Sequence, residues 1–597
     1  MKKNNIFLAI KLVPTVFSIL NKCSKKYILV MLLETIAFSI DKYPALFIMK
    51  YTIEALTLGI SYDSYIKTTI ILVLLMLCIK LIKVVVNTYR PICDQIVTEK
   101  LFSKYFAKCM NADFQTYEST TFKEQMEMAK YMANGKIAAI GWYFVDMFSS
   151  LIALFIATSM LADTSLLLIA VCILGFIFKA YIAKNALNKT VPITKEQIIN
   201  DKHINYLYNI ASDFDYAKDF RIYNYKDKIK DRLQREKVQY FETRDKIQEI
   251  NHKSSLIHSF IDFVVKIFSF LMLGLKCLNS IIGIGDFTFS IGIVNNYIAY
   301  AQTLVSSCTK YIEASEFIEY YTSFVSAETQ QTNESAIFKE TETSTHVLEF
   351  KNVSFKYPNV KENALENINV RLETPFRASL VGENGAGKST FIKLLLRLYK
   401  PTIGEITLDG ISIFDYSENE YMNLVSSVFQ DFALFAFTVK ENISSFNTVN
   451  KSVLSDVSLK TGVSEFIEKC PDRFETYLTN EFSNSGYDFS GGERQKIALA
   501  RSMYKQEAII YILDEPTSTY DALAEYKLYK QYHELIEKKS SIYISHRLSS
   551  CKLSDVIILL EKGKIIEIGT HNELMDMGGK YREMYDLQYK KYIEGVI

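Results

Sequence analysis

The stretch ASLVGENGAGKSTFIKLLLRLY, residues 378–399, changes character twice within a short span. It opens as an apolar, strand-like run, passes through the glycine-rich string GENGAGKST at 382–390, and closes in FIKLLLRLY, whose apolar residues recur at helical spacing. The string fits G-x-x-x-x-G-K-[ST], and strand, loop and helix are the flanks that this pattern requires. In that setting the backbone N–H groups of Gly382, Glu383, Asn384, Gly385, Ala386 and Gly387 can ring an anion, and the helix N-terminus adds partial positive charge. Lys388 is placed to reach the terminal phosphates of a nucleotide, Ser389 to ligate Mg²⁺, and Thr390 to bind the nucleotide beside them.

Downstream, AIIYILDEP at 508–516 reads as a buried strand that ends in Asp514 and Glu515. Such an acidic pair suits a Mg-nucleotide hydrolase: Asp514 would order the metal shell and Glu515 would polarise the attacking water. Upstream, VLEFKNVSFKYP at 347–358 and INVRLET at 368–374 alternate in the manner of strands, so an α/β P-loop NTPase domain is expected over 347–590, with 591–597 as a tail. The Thr- and Glu-rich segment 326–346 reads as a linker.

Residues 1–325 differ in kind. Six apolar runs, starting near Tyr27, Tyr65, Ile137, Ser165, Leu256 and Gly283, have about the 20 residues needed to cross about 30 Å of hydrocarbon. An all-α, six-helix transmembrane domain is therefore expected. Between the second and third runs, and between the fourth and fifth, lie long basic stretches, whereas the links at 162–164 and 279–285 carry no Lys or Arg. The positive-inside rule then puts both long stretches, the N-terminus and the nucleotide domain on the cytosolic side. Their helical periodicity suggests that membrane helices extend beyond the bilayer, turning back near Asp113–Glu118 and Ala211–Tyr216.

Several ionisable residues fall within the runs. Asp262 and Lys266, four apart, are expected to neutralise each other on one helix face, and Lys80, Lys83 and Lys179 to snorkel from span ends. Glu34 and Asp41 share a face and could form an acidic wall, with a bend expected where Asp41 precedes Pro44.

The 597-residue chain is 49% hydrophobic with a mean hydropathy of +0.06, a balance that suits apolar spans joined to a large water-facing part. A net charge of +1 gives no field for nucleic acid, and nine scattered Cys lack metal-ligand spacing and read as reduced thiols.

FSGGERQKIALAR, residues 489–501, lying between the phosphate loop and the acidic strand, resembles the signature of the ABC transporter superfamily. The fused order of membrane part and ATPase is similar to that of exporter-type half-transporters. The resemblance implies ATP and Mg²⁺ as ligands, and it implies that Ser490, Gly491 and Gly492 cap the γ-phosphate of a nucleotide held by a second half-transporter subunit. It further implies an adenine-stacking role for Tyr357, a place near metal and water for Gln430 in VFQDF, a switch histidine in His546 of SIYISHRL, and cross-dimer communication by Asp521. Glu493, where the family most often has Gln, Tyr520, where it has a smaller aliphatic residue, and Asn484, where exporters often have Glu, depart from the pattern.

What the resemblance implies overall is ATP-driven export by alternating access across a bacterial cell membrane, by a dimer in contact with lipid, with no nucleic-acid partner. A soluble ABC ATPase is disfavoured by the six runs, and a gating role on a channel is the alternative. About 26 residues precede the first run, so no peptidase domain is expected ahead of it. YAKDFRIYN at 216–224 and the region after Asp514 look similar to bacterial peptide exporters of the lantibiotic type, which leans the cargo toward peptides over lipids or drugs.

Overall fold

The computed structural model describes residues 5–59, 61–213, 216–326, 345–358, 360–514, 532, 536, 539–544, 548 and 550–593. Almost all of the expected linker, and Glu515, Tyr520, Asp521 and His546, lie outside the described residues. Two compact units emerge, residues 1–112 with 116–329, and residues 113–115 with 330–597.

The first unit is helical. Helices α1 (Asn5–Cys23), α2 (Lys25–Ile40) and α3 (Tyr43–Leu58) precede α4 (Tyr62–Met110), and two short helices, α5 (Phe114–Glu118) and α6 (Thr120–Tyr131), lead through a π turn into α7 (Ile137–Ala162). Then come α8 (Leu166–Ser212), α9 (Ala217–Ile222), α10 (Lys226–Leu278) and α11 (Ile284–Ser326). Among the described residues four helices are long and apolar enough to cross a membrane: Tyr62–Met110, Thr120–Ala162, Leu166–Ser212 and Lys226–Leu278. This is a multi-pass membrane domain.

The expected six differ from those four at the first and the last. The first run is divided at Asp41–Lys42 into α2 and α3 of 16 residues each, with Pro44 in the opening turn of α3, where its missing N–H costs nothing. The last, α11, has 43 residues but is enclosed by neighbours: Ser290, Tyr297, Tyr300 and Ser307 along it are buried. Facing protein instead of lipid, it tolerates polar side chains that an exposed span would not.

Tyrosines knit the unit together. Tyr27 donates to the Ala138 carbonyl at 2.6 Å, Tyr311 to that of Ala9 at 2.6 Å and Tyr321 to that of Leu101 at 3.1 Å, each ring filling apolar space while its hydroxyl finds a helix carbonyl. The charges pair across helices. Asp262 on α10 is ion-paired with Lys179 on α8 and not, as expected, with Lys266 on its own helix. Lys179 is 2% exposed, so it does not snorkel. Asp41 meets Lys83 at 2.5 Å and Asp286 meets Lys50 at 2.6 Å, so Asp41 is half of an ion pair before it is part of any acidic wall.

The second unit holds two sheets. β1 (Val347–Phe355), β2 (Leu365–Glu373), β4 (Ile403–Leu408) and β5 (Ile411–Ser412) form an antiparallel sheet in the order β2-β1-β4-β5. β3 (Arg377–Val381), β6 (Val425–Val428), β7 (Ile510–Asp514), β8 (Ser540–Ile544), β9 (Val556–Glu561) and β10 (Lys564–Gly569) form the other, ordered β10-β9-β3-β8-β7-β6 and parallel except for the β9–β10 hairpin. All five residues of β8 are buried, as befits a central parallel strand covered on both faces. Helix α12 (Lys388–Leu395) lies between the sheets, with Phe391 stacked on Phe350 of β1 at 4.2 Å between ring centroids. Helices α13 (Glu418–Leu424), α14 (Val439–Ser444), α15 (Lys451–Lys460), α16 (Ser464–Ile467) and α17 (Gly491–Tyr504) come before β7, and a second core forms where α14, α15 and α17 meet it.

Candidate functional site

The parallel strands bring distant residues to one edge. Leu380 of β3 and Asp514 of β7 both align with Ile544 of β8, and Leu513 aligns with Val428 of β6. The loop after β3, Gln430 after β6 and Asp514 at the end of β7 therefore all lie at the carboxyl ends of the strands, where open α/β sheets bind ligands.

The loop turns sharply from β3 into α12. Gly387, the N-cap of α12, has φ 105°, and a Cβ there would come within 2.7 Å of Leu365 Cδ2 and 2.9 Å of the Ala364 carbonyl, so only glycine fits. The Lys388 ammonium curls back into the loop, donating to the carbonyls of Gly382 at 2.8 Å and Glu383 at 3.1 Å. A cation is thus held at the centre of the turn with the first N–H groups of α12 beside it.

A cleft of about 970 Å³ opens here, lined by Asn384, Gly385, Gly387, Lys388, Ser389 and Thr390 of the loop together with Tyr357 and Gln430. Of the remaining loop residues expected at the site, Gly382 and Glu383 supply the carbonyls that hold Lys388, and Ala386 is buried behind the loop, its N–H bonded to the Glu383 carbonyl at 3.2 Å. Tyr357 shares a 3.1 Å hydrogen bond with the Thr390 hydroxyl and stands edge-on to Phe355 and Tyr399 at 4.9 and 5.3 Å, which fixes its ring at the cleft wall. Within this same unit, Lys393 sits 5.8 Å from the Tyr357 and Tyr399 rings and 5.9 Å from that of Phe114.

Glu362, Asn363, Lys562 and Gly563 also line the cleft, and the sequence reading missed them. The β9–β10 turn reaches the loop because Gly563 N–H donates to the Ala386 carbonyl at 3.0 Å, and the positive φ values of Lys562 (48°) and Gly563 (78°) shape that turn. The Lys-Gly-Lys string at 562–564 was the signal available.

Gln430 is steadied from outside. Arg501 on α17 donates to the carbonyls of Asn442 at 2.8 Å and Ala433 at 2.9 Å and to Asn442 Oδ1 at 2.9 Å, pinning the segment that follows Gln430 against α14. Burial lowers the Arg501 pKa. Ser490, Gly491 and Gly492 form the N-terminus of α17 and do not line the cleft. Glu515, Asp521 and His546 lie outside the described residues.

A glycine loop, a lysine and a helix N-terminus on one strand edge define a P-loop nucleotide-binding site. Residues 365–518 match the family described as "ABC transporter". The chain is 33% identical over 388 residues to the subtilin transport ATP-binding protein SpaT of Bacillus subtilis, covering 63% of this chain and 61% of that protein. It is 36% identical over 243 residues to the ATP-dependent lipid A-core flippase of Wigglesworthia glossinidia brevipalpis, covering 40% and 41%. The match to these curated relatives thus spans between about two-fifths and three-fifths of their length. The fold is similar to that of a bacterial Atm1-family ABC exporter solved with ATP bound, with a TM-score of 0.82 at 19% identity over 96% of this chain and 99% of that one. The chain carries an ABC transporter ATP-binding domain fused behind a helical membrane domain.

Proposed function

We propose that the chain is one half of an ATP-driven exporter, working as a dimer across a bacterial cell membrane. The observation that carries this reading is the cleft at Lys388, Ser389 and Gln430 in a chain whose other unit holds four helices of membrane length. Lys388 and the loop N–H groups bind the phosphates, and Tyr357 offers its ring to the base. Ser389, Gln430 and Asp514 offer oxygens suited to a hard cation such as Mg²⁺ shared with phosphate. When bound, Mg²⁺ neutralises charge on the phosphates. Glu515 orients the attacking water, and His546 and Asp521 complete the site.

Each site is shared: Ser490, Gly491 and Gly492 serve the nucleotide of a second copy. ATP then favours the closed pair, and hydrolysis releases it. The name of the subtilin transport protein, together with the similarity at 216–224, favours a peptide cargo. In lipid nanodiscs the expected outcome is Mg-dependent ATPase activity from a species with the mass of two chains, abolished by Glu515→Gln, and in vesicles ATP-dependent flux of peptide against a gradient. A chain that hydrolyses ATP yet passes cargo only down its gradient would overturn export in favour of gating.

A further inference from the structure

Helix α17 starts with a reciprocal cap. Ser490 Oγ accepts from the Glu493 N–H at 3.4 Å, while Glu493 Oε2 accepts from the Ser490 N–H at 2.8 Å and from the Ser490 hydroxyl at 2.8 Å. Both donors of Ser490 are thereby committed to a single carboxylate. The cap satisfies orphan groups of the helix end, but it also sets a negative charge against the partial positive charge that a helix N-terminus offers an anion. Of the cations in the first two turns of this helix, Lys496 is engaged elsewhere, with Glu465 at 2.8 Å, and the exposed Arg494 forms no ion pair with Glu493. A phosphate approaching this end finds the N–H groups of Gly491 and Gly492, finds Ser490 facing away, and is repelled by the charge behind it.

We propose that Glu493 is a positioning residue that turns Ser490 inward and weakens the grip of this helix on the nucleotide of a second copy, so that the shared site closes only at higher ATP. The proposal rests on the shared-site reading above. A glutamine at this position keeps a carbonyl oxygen for the cap and removes the charge. An aspartate keeps the charge on a side chain one methylene shorter.

The test uses the full chain in nanodiscs with Mg-ATP as the probe. Two quantities are read: the ATP concentration at half-maximal hydrolysis and, in a Glu515→Gln background, the concentration at half-maximal retention of radiolabelled ATP after rapid desalting. Glu493→Gln is expected to lower both by about two- to fivefold with a smaller change in kcat, while Glu493→Asp leaves both within about twofold of the parent. Added KCl should narrow the gap between parent and Glu493→Gln, because the term is electrostatic. Retention that occurs with the same half-saturation with and without Glu493→Gln overturns the role of Glu493 and leaves shared sites standing. A Glu515→Gln chain that retains no ATP, with or without the change at 493, overturns shared sites and the inference together.

Discussion

Burial, with Lys552 adding to it, holds the His571 imidazole below its usual pKa, and its Nδ1 lies 2.8 Å from the hydroxyl of the fully buried Tyr581. Neutral His571 can accept that hydroxyl's hydrogen; the protonated ring cannot. Because the folded pKa is depressed, the unfolded chain takes up the proton first as pH falls, so stability is lost below about pH 6.5 and the loss ends once pH is under the folded value. Hydrogen exchange over residues 571–593, corrected for intrinsic rates, should therefore quicken between pH 7.5 and 5.5, and His571→Gln should flatten that dependence. At this scale the sequence was most readable where chemistry is local. Lys388, Ser389 and Gln430, each singled out by a local motif, line one cleft. For Lys562 and Gly563 the Lys-Gly-Lys string marks a turn but not its neighbour, because a turn some 175 residues from the loop declares what it packs against only through strand order.

Among elements, α8 and α10 are a closely packed pair of long helices. Gly175 lets them approach, since a Cβ there would lie 3.1 Å from Val265 Cγ2, and the Lys179–Asp262 pair crosses the same contact. The His258 Nε2 also lies 3.2 Å from the Lys179 carbonyl. Removing one charge strands the other in an apolar setting at a cost of about 3–5 kcal/mol, whereas replacing both by apolar residues of similar volume is close to neutral. Lys179→Met and Asp262→Leu singly should each lower the thermal midpoint of the purified protein, and the double variant should recover most of the loss; equal additive losses would mean that the pair is not coupled. Sequence reading placed the partner on the wrong helix here for a definite reason. Spacing of four on one helix can be read from the chain, but which helix comes to lie beside it depends on packing. The break between α2 and α3 was legible, because Pro44 acts on its own turn.

On the scale of the whole molecule, the chain enters the second unit twice, once through residues 330–597 and once through residues 113–115. Phe114 places its ring edge-on to Tyr399 at 5.7 Å, and Tyr399 adjoins Tyr357 at the cleft. Phe114 is covalently continuous with α4 and α6, so its seat is a candidate route for coupling. Phe114→Ala should leave ATP hydrolysis within about twofold while cutting cargo flux at least about fivefold, measured side by side in vesicles; flux that falls only in step with hydrolysis would refute the route. The fold class and the order of the two parts were legible from apolar run length and the glycine loop. Four of the six expected spans are long apolar helices among the described residues, while the enclosed α11 and the divided α2–α3 do not present the length and composition of a lipid-facing helix.

The clamp between α8 and α10 also has a mechanical meaning. Lys179 lies 13 residues from the start of α8 and 33 from its end, or about 20 Å and 50 Å along the axis at 1.5 Å per residue. An ion pair at that point opposes sliding of one helix along the other. The longer arm, on the side of the basic stretch between them, is the part of α8 with more length over which to flex.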